Sequence, residues 1–228
     1  MPFTKKIVCL ANSRKLSGFC VAGKELIYNE IGEWIRPVSN RPLEELSPKE
    51  IRYKYWKKPK LLDIINIPLI EHSPNSYQTE NYLIDDRQKW VKIGALKKTD
   101  LEKLCDNVDS LWINGYSSQK GKNDKIPQEI TEKNIFSSLL FIKPESFSII
   151  VGYKNINYNK SKRVWADFIF KKINYRLTIT DPVIEKKFLR KKNKTYYIDK
   201  NDLFFCISLG RPFYGFNYKL VAALLNLK

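Results

Sequence analysis

Between Val164 and Thr180 apolar side chains return at every second position. Val164, Ala166, Phe168 and Phe170 alternate with Trp165, Asp167 and Ile169, and Tyr175, Leu177 and Ile179 alternate with Arg176, Thr178 and Thr180. A period of two places one set on one face of a pleated strand, whereas a helix would scatter it around the axis. The segment is therefore expected to form a β-hairpin turning at Lys171-Lys172-Ile173-Asn174. Asp181-Pro182 follows and supplies an N-cap and a first-turn proline for a helix running to about Lys191. In that helix Ile184 and Phe188, with adjacent Val183 and Leu189, are expected to face inward, and Lys186, Lys187, Arg190 and Lys191 outward. Leu203 to Leu209 and Tyr218 to Leu225 read as a closing strand pair.

The first half carries the same strand chemistry in Lys6 to Ala11, Trp34 to Val38, Leu61 to Ile70 and Tyr82 to Ile84, each bounded by Gly, Pro, Asn or Ser. Two short helices are expected, from Ser47-Pro48-Lys49-Glu50 and Thr99-Asp100-Leu101-Glu102, where a cap residue meets an acid in capping-box register. The polar, turn-rich run 115–126 marks a linker between an N-terminal domain, 1–114, and a C-terminal domain, 127–228. The fold class is mainly β with a few short helices, of α+β character, arranged as two tandem OB-like small barrels. The second half fits that outline more cleanly than the first, for which an irregular mixed barrel is the alternative.

Composition narrows the function classes. The 228 residues are 43% hydrophobic and 13% aromatic, too rich in core-building side chains for a disordered chain. No apolar run approaches the roughly 20 residues of a membrane span, and Ile7 to Ala11 is too short for a signal-peptide core. A cytoplasmic protein without a membrane partner is expected. The cysteines at 9, 20, 105 and 206 form no Cys-x-x-Cys pair, and three lie among apolar neighbours, which suits reduced thiols. With His72 as the one histidine, neither a zinc site nor a Cys-His catalytic pair has enough parts, so no metal and no cofactor is expected.

The net charge of +17 favours a polyanion. AT-rich coding also raises lysine, but it should not respect a boundary: residues 1–114 hold 19 basic and 15 acidic side chains, and residues 115–228 hold 22 and 9. Three segments interleave cations with the aromatic faces on which bases stack. They are Arg52-Tyr53-Lys54-Tyr55-Trp56, Lys162-Arg163-Val164-Trp165 with the preceding Lys160, and Arg211-Pro212-Phe213-Tyr214 with Tyr218-Lys219. The alternative for each is an edge strand with core-filling aromatics and lysines that guard against aggregation. Arg14 and Lys15, directly after the first strand, are further phosphate candidates. Phosphate-binding glycine fingerprints are absent. Asp85-Asp86, Asp167 and Asp181 are the acids a metal-dependent nuclease would draw on, but each is better explained as a turn, strand or cap residue. The chain is therefore expected not to be an enzyme.

Lys6-Ile7-Val8-Cys9-Leu10-Ala11-Asn12-Ser13-Arg14-Lys15, Cys20-Val21-Ala22-Gly23 and Gly32-Glu33-Trp34-Ile35-Arg36-Pro37-Val38-Ser39 together resemble bacterial dual OB-fold domain proteins. Leu177-Thr178-Ile179-Thr180-Asp181-Pro182, Ser208-Leu209-Gly210-Arg211-Pro212-Phe213 and Tyr218-Lys219-Leu220-Val221-Ala222-Ala223 look like the closing strands of the same family. The resemblance brackets the chain. It implies two OB-like units and a setting among bacterial conflict or anti-phage systems, in which such modules recognise nucleic acid beside a separate effector protein. It also singles out Arg14, Trp34, Arg36, Arg211 and Lys219 within the resembling motifs. The expected function is recognition of single-stranded or distorted DNA or RNA. The alternative is a nucleotide or modified-base sensor that signals to a partner effector.

Overall fold

The computed structural model describes residues 1–15, 18–28, 30–53, 57–156, 159–199 and 202–226. The chain divides into two compact units, residues 1–104 with 136–138, and residues 105–135 with 139–228. The expected boundary lay at 115–126, but Leu111 is fully buried in the second unit's core. Lys122 exchanges backbone bonds with Arg176, and the Lys219 amide donates to the Asp124 carbonyl. Residues 105–126 are thus part of the second unit's hydrogen-bonded structure, because their backbone completes its sheet.

The first unit is built from β1 (Phe3–Lys15), β2 (Gly18–Ile27), β3 (Glu30–Val38), β4 (Asp63–His72), β5 (Asn81–Ile84) and β6 (Val91–Ala95). The strands run in the order β1-β2-β3-β5-β4-β6, and β1 also pairs with β4, so the sheet closes on itself. β3 and β5 pair in parallel and all other neighbours are antiparallel. This 1-2-3-5-4-1 circuit is that of an OB barrel. Closure bends β1, whose register shifts between Cys9 and Ala11. It also presses backbones together at Gly23, where a Cβ would lie 2.0 Å from the Val8 carbonyl oxygen, so only glycine fits. Ile7, Ile35, Ile65, Ile67 and Leu69 fill the interior with Trp90.

At Ser47 the expected capping box forms: the Ser47 amide donates to Glu50 Oε2 at 2.6 Å and the Glu50 amide to Ser47 Oγ at 3.3 Å. It stops as a turn, because Ile51 and Tyr53 are drawn into the core. The second expected helix is a 3₁₀ helix, Lys98–Leu104.

The second unit contains β7 (Lys125–Pro127), α1 (Gln128–Asn134), β8 (Leu139–Ile142), β9 (Ser146–Ile156), β10 (Asn159–Phe170), β11 (Ile173–Ile179), α2 (Pro182–Leu189), β12 (Thr195–Tyr197), β13 (Phe204–Phe213) and β14 (Phe216–Leu225). Its sheet runs β12-β9-β10-β11-β14-β13-β8. The central five strands repeat the 1-2-3-5-4 path, with β11 and β14 parallel and α2 between the third and fourth of them. The predicted hairpin is β10–β11, with Trp165 opposite Thr178 and Phe168 opposite Tyr175. Its turn is tighter than expected: Lys171 and Lys172 take φ of 50° and 62°, and Ile173 and Asn174 already pair within β11. Asp181 caps α2 as expected. Ile184 and Phe188 are buried and Leu189 packs partly against the same core, but Val183 is exposed rather than inward-facing, since i,i+4 spacing puts it on the face of exposed Lys187 and off the Ile184–Phe188 stripe. No helix among the described residues is long and apolar enough to cross a membrane.

Candidate nucleic-acid interface

In an OB barrel, ligands lie on the face of the second and third strands and against the loops joining strands 1–2 and 4–5. In the second unit the corresponding places are the facing ends of β9 and β10 and the Tyr214-Gly215 turn between β13 and β14. Along β9, Phe147, Ile149 and Val151 point into the core, and the same alternation carries Tyr153 past the core into solvent. Lys160 Nζ lies 5.5 Å from the Tyr153 ring centroid, and Lys154 Nζ lies 5.8 Å from that of Tyr218 on β14. Tyr214 and Gly215 take φ of 49° and 75°, a tight hairpin geometry. The turn leaves Phe213 58% and Tyr214 77% exposed, too open for core residues. Phe213 meets Tyr214 edge-on at 4.5 Å and Tyr218 at 6.4 Å. The Lys154–Tyr218 contact sets an ammonium group beside the Phe213, Tyr214 and Tyr218 rings, while Tyr153 and Lys160 lie on the other face of the β9–β10 pair.

The lysines that follow α2 lie beside β9 and the start of β10. Lys162 Nζ donates to the Lys191 carbonyl at 2.6 Å, and the Val151 amide donates to the Lys194 carbonyl at 3.0 Å. Lys191 and Lys194 lie over the Tyr196 ring at 4.8 and 5.0 Å.

The anticipated contact residues divide sharply. Phe213 and Tyr214 belong to the cluster just described, Lys162 reaches the Lys191 carbonyl, and Arg163 is half-buried opposite Gly152. Arg211 is half-buried on β13. Trp165 is only 4% exposed, its ring seated against Gly152, so it has no open face for a base. Lys219 has no exposed surface: Nζ donates to the Ile113 carbonyl at 2.7 Å and to Asn114 Oδ1 at 3.0 Å. In the first unit Arg14 is exposed and Arg52 half-buried, and the Lys15 backbone pairs with Gly18. Trp34 is buried, with Lys24 Nζ 5.7 Å from its ring. Arg36 is buried, with Nη2 2.8 Å from Glu80 Oε1 and Nε donating to Asn81 Oδ1 at 2.7 Å. Tyr53 is a core residue whose hydroxyl bonds Asp63 at 3.1 Å, and burial pushes that phenol up. Tyr55 and Trp56 lie outside the described residues. Trp165, Lys219, Arg36 and Tyr53 are thus interior residues, each committed to packing or to an internal polar partner.

Tyr153, Lys154 and Tyr218 were not singled out together by sequence, although Phe147-x-Ile149-x-Val151-x-Tyr153 is a strand alternation that ends on an aromatic. Of the acids considered for metal binding, Asp85 pairs with Arg87 at 2.7 Å, Asp167 pairs with Arg176 at 2.5 Å, and Asp181 caps α2. Among the described residues, no three His, Cys, Asp or Glu side chains converge as a metal-ligating group. Burial and the nearby Asp63 push the Cys9 thiol far up, which leaves it unreactive.

Two units, each with an OB strand path and a parallel third–fifth pair and the first closed by its β1–β4 pairing, define a tandem OB-fold protein. The chain belongs to the family described as the dual OB-containing domain, whose model matches residues 5–224. Comparison with curated proteins and with solved structures returns no match.

Proposed function

We propose that this protein binds single-stranded or distorted nucleic acid through the second barrel, as a non-enzymatic recognition module. The observation that carries the reading is the solvent-facing cluster at the OB loops, where Phe213 and Tyr214 stand exposed beside Tyr218 and Lys154. Exposed rings are costly to maintain unless something stacks on them, and adjacent ammonium groups supply phosphate contacts. OB folds commonly use this edge for oligonucleotides. The family resemblance further supports a role beside an effector protein in a bacterial anti-phage system, with DNA or RNA as the recognised partner.

Replacing Phe213 and Tyr214 by alanine tests the reading. At about 1–3 kcal/mol per stacked base, the double variant is expected to bind a short single strand at least tenfold more weakly with an unchanged melting temperature. Wild-type affinity in the folded variant would overturn the assignment.

A further inference from the structure

The first unit holds a concavity of about 380 Å³, within the size range of small-molecule sites. Its walls carry the rings of Trp34, His72, Tyr82 and Phe136 and the carboxylates of Glu33 and Glu80. The His72 and Tyr82 rings lie 4.8 Å apart, and Phe136 is 75% exposed. The wall from residues 136–138 is pinned in place: Thr79 Oγ1 donates to the Phe136 carbonyl, and Ser138 Oγ donates to Glu80 Oε1 at 2.6 Å. Glu80 is buried and also faces Arg36, so its charge is met internally. Glu33 is exposed and is the carboxylate open to a ligand. Lys24 and Lys5 lie over the Trp34 and Tyr82 rings.

We propose that this cavity holds one unstacked nucleobase bearing an exocyclic amine, cytosine or adenine, with Glu33 accepting the amine N–H and the rings of Trp34, Tyr82 and Phe136 packing on its faces. The choice of a base rests on the nucleic-acid reading above, while the cavity's preference follows from its own chemistry. Flat rings select a flat ligand. A carboxylate accepts from an amine in the way acids read cytosine N4. Uracil places a carbonyl oxygen there, which would meet the carboxylate acceptor to acceptor.

Calorimetric titration of the full chain with cytidine, adenosine and uridine tests the proposal without phosphates. Cytidine and adenosine are expected to bind about tenfold or more tightly than uridine, the discrimination typical of one good hydrogen-bonded base contact. Glu33→Gln should abolish that preference, because an amide both donates and accepts, and Phe136→Ala should weaken all three nucleosides. Both residues are exposed, so melting temperatures should hold. Equal binding of cytidine and uridine, no nucleoside binding, or binding indifferent to both substitutions overturns the proposal. So does Glu33-dependent binding of arginine amide in place of the nucleosides, which would mark a protein partner. The cavity is read by the dependence of nucleoside binding on Glu33 and Phe136, and the second-unit interface by the dependence of single-strand binding on Phe213 and Tyr214, so failure of this proposal and failure of that interface are read separately.

Discussion

Lys219 has no exposed surface, and desolvation lowers its ammonium pKa to about 7, far below the ordinary value of about 10.4. The folded chain therefore releases a proton that the unfolded chain keeps across that interval, and stability rises with pH from about 7 to about 10. Below about 7 both states hold the proton and this contribution levels off. Lys219→Met removes the titration, so its melting temperature should follow pH less steeply than the wild type in that window. It also strips the donor from the Ile113 carbonyl and Asn114 Oδ1 at every pH, and because only the wild type gains stability as Lys219 loses its proton, the variant's deficit should grow from pH 7 to pH 9. Parallel pH curves for the two proteins would refute the assignment. Sequence could not separate this lysine from a surface one. Tyr218-Lys219 reads as basic and aromatic in either case, and strand parity alone sends Tyr218 toward the open surface and Lys219 inward. Arg36 and Tyr53 were misplaced for the same reason: their partners, Glu80 and Asp63, are remote in sequence.

Elements whose chemistry is local were legible. The β10–β11 hairpin and α2 follow from alternation and from Asp181-Pro182. Asp181 does more than cap: Oδ1 accepts from the Val183 and Ile184 amides at 2.9 and 3.1 Å, and Oδ2 accepts from the Leu224 amide of β14 at 3.1 Å. Asp181→Ala is expected to cost about 1–2 kcal/mol from the cap, with a further loss from the orphaned Leu224 amide. Asp181→Asn, which keeps one acceptor oxygen, should recover part of this in denaturant melts. Equal stability of wild type and Asp181→Ala would show the cap to be dispensable. β2 and β6 were not expected: Lys24-Glu25 interrupts the apolar alternation of one, and the other is a largely exposed edge strand with little core signal. The Ser47 turn shows the converse, a correct local signal overruled when burial of Ile51 and Tyr53 straightens the chain.

For the molecule as a whole, the charge asymmetry becomes a spatial one. The second unit gathers Lys160 and Lys162 at the start of β10, Lys191 and Lys194 over Tyr196, and Lys154 over Tyr218. If about four of them neutralise phosphates, the logarithm of affinity for a single strand should fall with the logarithm of salt with a slope of about −3. Lys191→Gln, Lys192→Gln and Lys194→Gln together should make that slope shallower by about 1–2 while leaving any base preference intact. A flat salt dependence in the wild type would remove phosphate neutralisation from the account. The sequence by itself determined the class of fold, the hairpin, the capped helix and the excess of cations, because periodicity, capping and composition act over a few residues. Only the tertiary structure decided which cations and rings face solvent. Barrel closure sets the parity of each strand and brings together residues as distant as Lys154 and Tyr218, and no local pattern encodes that meeting.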